Sequence, residues 1–201
     1  MPHEPVAQGF AADARERLPM PDAASMNDAQ RAAAQALIDG PRKGVYGPFL
    51  ALLRKPELLD RVAALGEQLR FGSALDARVR ELVTCAAARH VHNQFEWLMH
   101  APLAVKAGVA ADAIEALRQG AQPRGLQRDE AAALAFAQEL MRNDGVCDAT
   151  YAEALAQFGE AGVVELSVLT GYFVMVSWLM NVARTPSQAG AQGTPLDAFP
   201  L

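Results

Sequence analysis

The stretch RELVTCAAARHVHNQFEWLMHAPLAVKAGVAADAIEAL, residues 80–117, decides the fold. Its apolar residues recur at intervals of three and four, which is the period of a helix with one buried face. Asn93 and Glu96 have the spacing of a capping box, so one helix is expected to end near His92 and another to begin there. Gly108 is placed to end this second helix. The stretch therefore predicts two consecutive helices joined by a tight break.

The same helical period extends outward, with glycine and proline standing mainly between the apolar segments. No pair of segments alternates in the way that strands do, so the chain is predicted to be all-α, a compact helical domain at residues 25–185. Residues 1–24 and 186–201 have the composition of linkers and are expected to wrap a neighbour or stay mobile. The predicted helices lie at residues 27–39, 48–54, 56–72, 75–91, 94–106, 111–118, 129–141, 149–158 and 160–184.

Composition excludes several classes of function. The 201 residues carry 18 Lys and Arg against 23 Asp and Glu, a net charge of −5, which gives no basic field for nucleic acid or an anionic membrane. Cys85 and Cys147 are too far apart in sequence to suggest a zinc ribbon or a dithiol centre. The first residues lack the pattern of a secretion signal, so a cytoplasmic protein is expected.

One apolar segment, residues 161–180, has the length of a membrane span. It carries Glu165 near its start, and neither a second span nor a flanking basic cluster accompanies it. We therefore expect a helix that is buried inside a helical protein or its oligomer.

Reactive side chains are concentrated between residues 81 and 100. Glu96 and His100 are four residues apart and share a helix face, so the carboxylate can hold the imidazole in one tautomer for acid–base catalysis. Glu81, on the preceding helix, faces the same cavity if the two helices fold together. The cluster consists of Glu81, Cys85, His90, His92, Glu96 and His100.

Each of these features also has a purely structural interpretation. A Glu and His pair four residues apart is often a surface ion pair. His92, Glu96 and His100 have a spacing that could also hold a metal ion. Cys85 lies among small apolar residues and is expected to be a buried, unreactive thiol. The aromatic residues that could line a pocket or simply fill the core are Tyr46, Phe49, Tyr172, Phe173 and Trp178.

The residues EW-x2-H-x3-A, together with GVYGPFLALLRKPELL and GYFVMVSWLMNVAR, resemble the carboxymuconolactone decarboxylase and alkylhydroperoxidase D-like superfamily from about Tyr46 to Arg184. The resemblance implies an all-helical fold whose paired central helices form the active site. It also implies a homotrimer or homohexamer, with the apolar helices buried between subunits.

The peroxidase branch of that superfamily has a glutamate, then a CxxC, then a histidine. These positions fall here on Glu81, Asn93, Glu96 and His100, so both cysteines are replaced. Without the dithiol, peroxide reduction of that type is not available. The decarboxylase branch also lacks the cysteines, and the chain resembles it better.

The resemblance therefore implies a cofactor-free enzyme that acts on a small lactone or carboxylate from aromatic-compound breakdown, with no bound metal. His100 is expected to be the general acid–base, Glu96 its orienting partner and Glu81 a second proton relay. Hydrolysis of a lactone by the same residues, and a non-catalytic oligomeric binding module, remain alternatives. The residues expected to bind the substrate are Tyr46, Phe49, His92, Asn93 and Trp97.

Overall fold

The structure is a computed structural model that describes residues 4–9 and 14–197. Helices account for 64% of these residues, and no strand occurs among them, so the predicted all-α class is confirmed. Residues 1–3, 10–13 and 198–201, which belong to the two predicted extensions, lie outside the described ranges. The helices are α1 Asp28–Asp39, α2 Pro48–Leu52, α3 Pro56–Phe71, α4 Ala77–His90, α5 Gln94–Ala107, α6 Ala111–Arg118, α7 Arg128–Asn143 and α8 Asp148–Ala183.

The predicted break between the central helices lies between α4 and α5. Asn93 is the N-cap of α5, and its side chain accepts a hydrogen bond from the Glu96 N–H at 2.8 Å. The other half of the capping box is absent, because the Asn93 N–H donates to the Ala88 carbonyl at 2.9 Å. The Glu96 carboxylate instead contacts His100, a charged partner that binds it more strongly than a neutral amide would. The Glu96 side chain therefore does not cap the helix and is available to bind His100.

Helix α4 is the centre of the fold and packs against α5, α7 and α8. Its Val79, Val83 and Ala87 are fully buried in a cluster with α7 and α8. Leu82 and Cys85, on another face, are fully buried in a second cluster with α5 and α6. Because α4 is covered on both sides, Glu81 is held in a fixed position relative to α5.

Helix α8 contains the apolar segment that has the length of a membrane span. The helical backbone is interrupted at Gly159, where φ is +66°. The predicted end of one helix and start of the next is therefore a kink within α8. By length and composition it is the one helix of the described residues that could cross a membrane, but 56% of its most apolar window is buried inside the protein. Leu166, Leu169 and Val176 pack in the core, so α8 is a core helix here.

Both terminal segments are fastened to α5. The Gln8 side chain accepts from the Gln94 N–H at 2.8 Å and donates to the His92 carbonyl at 3.0 Å. The Gln94 side chain in turn forms two hydrogen bonds with the backbone of Leu196, at 2.9 and 3.0 Å. The Trp97 indole donates to a carbonyl in the same tail at 2.9 Å. The described parts of both extensions therefore lie against their own chain, while the predicted boundaries at residues 24 and 185 stay predictions.

Candidate active site

Three ionisable side chains form a row across the α4–α5 contact. The His100 Nδ1 lies 2.6 Å from the Glu81 Oε2, and its Nε2 lies 3.1 Å from the Glu96 Oε2. The His100 side chain is only 3% exposed, and its ring packs edge-on against Phe173 at 5.1 Å between centroids. Both ring nitrogens are thus bonded to carboxylates in an almost dry environment.

Two effects of opposite sign set the charge of His100. Burial disfavours the cation, but the carboxylates of Glu81 and Glu96 outweigh it and raise the pKa of His100 to about 9. Burial would also raise the pKa of Glu81, yet His100 and Arg70 hold it below its ordinary value. At neutral pH the row is therefore an imidazolium between two carboxyl groups, with the Glu81 carboxyl ionised.

Cys85 lies one turn after Glu81 and is fully buried. Burial raises the pKa of its thiol well above the ordinary value, and the nearby Glu81 and Glu96 carboxylates raise it further. The protonated thiol is a poor nucleophile, as the sequence predicted.

A cavity of about 690 Å³ opens beside this row. Glu96 and His100 line it, whereas Glu81 lies behind His100 and is not among the lining residues. Tyr46 and Phe49, predicted from the sequence as substrate contacts, also line it. The other aromatic lining residues are Phe71, Phe95, Tyr172 and Phe173.

Two arginines of the cavity wall were not predicted from the sequence. Arg42 comes from the loop after α1 and Arg70 from the last turn of α3. In the sequence each is an ordinary basic residue near a helix end, and no local pattern distinguishes it from a solvated one. The recognisable signal nearby was Gly66, a glycine inside a predicted helix, which marks a close approach by another chain segment.

The remaining predicted substrate contacts lie elsewhere. His92 has a left-handed backbone, with φ of +52°, and its Nε2 lies 2.9 Å from the Arg89 Nη1. Asn93 is buried, and its amide donates to Asn181 at 2.8 Å, joining α5 to α8. Trp97 is 1% exposed and holds the C-terminal tail. None of the three is among the residues that line the cavity.

The alternative metal site is not assembled in the described part of the chain. There, no group of three or more His, Cys, Asp or Glu side chains is arranged to hold a metal ion. His92 lies in the turn before α5, and its ring contacts Arg89 of α4.

Comparisons with known proteins give one family match and several similar folds. Residues 56–139 match the model of the carboxymuconolactone decarboxylase family. The structure is similar to the AhpD core of an uncharacterized peroxidase-related protein from Ralstonia eutropha JMP134, with 17% identity, a TM-score of 0.69, and coverage of 88% of this chain and 94% of that one. A peroxidase-related protein from Silicibacter sp. TM1040 gives 18% identity and a TM-score of 0.67, over 85% of this chain and 90% of that one.

A protein of unknown function from Agrobacterium tumefaciens is similar over 69% of this chain and 95% of its own length, with 18% identity and a TM-score of 0.61. No functionally curated protein matches the chain. At these identities the solved structures establish a common fold. Together with the family match, they confirm the superfamily resemblance predicted from the sequence.

Proposed function

We propose that this chain is a cofactor-free enzyme acting on a small lactone or related carboxylate. The proposal starts from the match of residues 56–139 to the carboxymuconolactone decarboxylase family model and from the AhpD-like fold. The observation that carries the proposal is the Glu81–His100–Glu96 row at the wall of an aromatic cavity. A buried acid–base group beside a cavity of this size is the usual arrangement of a small-molecule enzyme.

The geometry favours a division of roles that differs from the one expected from the sequence. Both nitrogens of His100 are occupied, so the ring has no free nitrogen to offer a substrate. Glu81 fixes the imidazole through Nδ1 and keeps it charged. Glu96, which lines the cavity and accepts from Nε2, is the group that passes the proton, with His100 as its reservoir.

Decarboxylation needs these parts and no cofactor. The bond to the carboxyl carbon breaks, carbon dioxide leaves, and the electron pair is delocalised into the conjugated lactone carbonyl. The carbon that lost the carboxyl group then takes the proton delivered through Glu96, and solvent returns that proton to the enzyme. General acid–base groups in such positions contribute about 10²–10⁴-fold to the rate.

Thiol-dependent peroxide reduction does not fit this site, although two of the similar structures are described as peroxidase-related. The two cysteine positions hold Asn93 and Glu96. Cys85 is fully buried beside carboxylates that oppose its ionisation. Its thiol therefore cannot replace a missing redox pair.

An apolar seam on α8 supports the expected self-association in a cytoplasmic homotrimer or homohexamer. Over residues 161–182 of this helix, the exposed residues follow each other at alternating spacings of three and four, the repeat of coiled-coil contacts, and none of them is charged. Trp178 is the bulkiest side chain of this seam and is 59% exposed. The W178E substitution should therefore reduce the molar mass measured by light scattering. The seam consists of Ala161, Val164, Val168, Gly171, Met175, Trp178 and Val182.

The activity is tested with 4-carboxymuconolactone and unsubstituted lactones, followed by proton NMR. Loss of the carboxyl group from the first substrate is the expected result. Ring opening with all carbons retained would assign lactone hydrolysis instead, and no conversion of any compound would contradict both enzymatic functions. E96Q should lower turnover by about 10²–10⁴-fold, while E160Q, an exposed glutamate on α8, should leave it unchanged.

A further inference from the structure

The Arg42 guanidinium is buried in the cavity wall without a full set of partners. Its side chain is 8% exposed, and its Cζ lies 4.4 Å above the centre of the Phe49 ring. Nη2 donates to the Ala63 carbonyl at 3.2 Å, and the guanidinium also forms a hydrogen bond with the Tyr172 side chain. Nε has no hydrogen-bond partner among the described residues, and the nearest carboxylate oxygen, on Glu67, is 3.6 Å away. A buried cation with an unused donor is costly unless a ligand completes its bonding.

A glycine in α3 leaves room for this guanidinium. Gly66 lies inside α3, where a glycine costs about 0.5–1 kcal/mol relative to alanine. A Cβ atom at that position would lie 2.1 Å from the Tyr172 hydroxyl and 2.8 Å from the Arg42 Nη2. Only glycine lets both groups approach the α3 backbone so closely. Arg42 and Tyr172 line the same cavity, so this close approach builds part of its wall.

The charged residues that line the cavity come from different parts of the fold. The cations of the wall, Arg42 and Arg70, come from the loop after α1 and the end of α3, whereas the proton-transfer pair, Glu96 and His100, comes from α5. The planar guanidinium group matches a carboxylate through two parallel hydrogen bonds. An organic acid held in this way places its carbon skeleton against the aromatic walls and within the cavity that Glu96 and His100 share.

We infer that Arg42 is the carboxylate-binding residue of this cavity and that its ligand is a small unsaturated organic acid bound as the anion. Glu67 is a weak competitor, since its side chain is 36% exposed and its oxygen stands beyond hydrogen-bond distance. The inference rests on the proposed function for the site, and it adds the residue that binds the carboxylate of the substrate.

Binding is measured by titration calorimetry without turnover. The probes are benzoate, 2-furoate and cis,cis-muconate, each compared with the matching uncharged amide, which has nearly the same shape. We expect saturable binding of at least one acid, with its amide bound at least tenfold more weakly. Equal affinity for acid and amide, or no acid bound at concentrations on the order of 10 mM, would overturn the inference.

Variants separate the charge of Arg42 from its packing. R42Q should weaken binding of the acid by about 10- to 100-fold, because a charge-assisted hydrogen-bonded pair is lost. R42K retains the cation but lacks the forked donors, so it should lose part of the affinity. R61Q, an exposed arginine of α3, makes the same charge change away from the cavity and should bind as wild type does. Circular dichroism shows whether each variant is folded. If R42Q is not folded, R42K is the variant that tests the assignment. Wild-type affinity in either folded Arg42 variant would refute the assignment.

Different results would contradict the proposed reaction and the proposed role of Arg42. Carboxylate binding that depends on Arg42, with no lactone turned over, would contradict the proposed reaction and leave the binding residue standing. Turnover of the lactone by R42Q with the wild-type kcat and KM would support the reaction and contradict the role of Arg42.

Discussion

Replacement of His100 by glutamine should remove a pH dependence from the stability of the protein. In the folded chain the pKa of His100 is about 9, whereas its ordinary value is 6.5. Because the folded-state pKa is the higher one, the stabilisation is fully present below pH 6.5 and is lost as the pH rises through 9. The shift corresponds to about 3 kcal/mol in total, of which about 2 to 3 kcal/mol disappears between about pH 7 and pH 10.

Urea unfolding of wild type and H100Q at several values in this pH range measures the effect. The stability difference between the two proteins should shrink by about 2 to 3 kcal/mol as the pH rises. Cys85 and Tyr172 also have raised pKa values, but their contribution is present in both proteins and largely cancels in the difference. H90Q is the matched control, because burial and Arg142 lower the pKa of His90 and its contribution stays nearly constant above about pH 7.

A difference between wild type and H100Q that stays within about 0.5 kcal/mol across the range would refute the reasoning, since the carboxylates would then not hold the imidazole in its charged form.

Three further predictions test other parts of the structure. G66A should lower the free energy of unfolding by about 1–3 kcal/mol despite the better helix propensity of alanine, and a smaller cost in the Y172F background would identify the hydroxyl contact as the cause. Native protein should react with one equivalent of a thiol reagent, at the exposed Cys147, and the urea-unfolded protein with two; rapid labelling of Cys85 in the native state would show that its burial is incomplete. Q94A removes the side chain that binds the C-terminal tail, so tail amides should exchange with deuterium faster than in wild type while those of α4 are unchanged, and identical tail exchange would contradict the role of this contact.

The part of the site that the sequence predicted is the part encoded locally. Glu96 and His100 are one helical turn apart, so helix periodicity alone places them on one face. Glu81 could be added because the break at Asn93 folds α4 and α5 against each other. The resemblance to known relatives pointed to Glu81, Glu96 and His100 through their positions in the motif. Local periodicity and a family motif thus reached the same three residues.

The remaining features depend on contacts between distant segments. Arg42 and Tyr172 are 130 positions apart in the chain, and both side chains lie against Gly66 of α3, which is itself distant from each of them in sequence. The contacts predicted for Asn93 and Trp97 differ for a similar reason, since each of these side chains finds a partner from the C-terminal part of the chain. A polar or aromatic residue beside a motif carries no sequence signal that tells a ligand contact from a contact with a distant segment.

The attachment of both ends of the chain to α5 has a consequence for how the protein can be re-engineered. The Val6 N–H donates to the Ser187 hydroxyl at 2.8 Å, and the Ser187 N–H donates to the Val6 carbonyl at 3.0 Å. Val6 and Ser187 are therefore close enough for a short peptide linker to join the N-terminal and C-terminal segments at these positions. New termini could then be opened near Gly125, in the loop between α6 and α7, where the space around the backbone is open. Such a circular permutant should fold with the Glu81–His100–Glu96 row intact, and its new ends would be free for fusion to another protein.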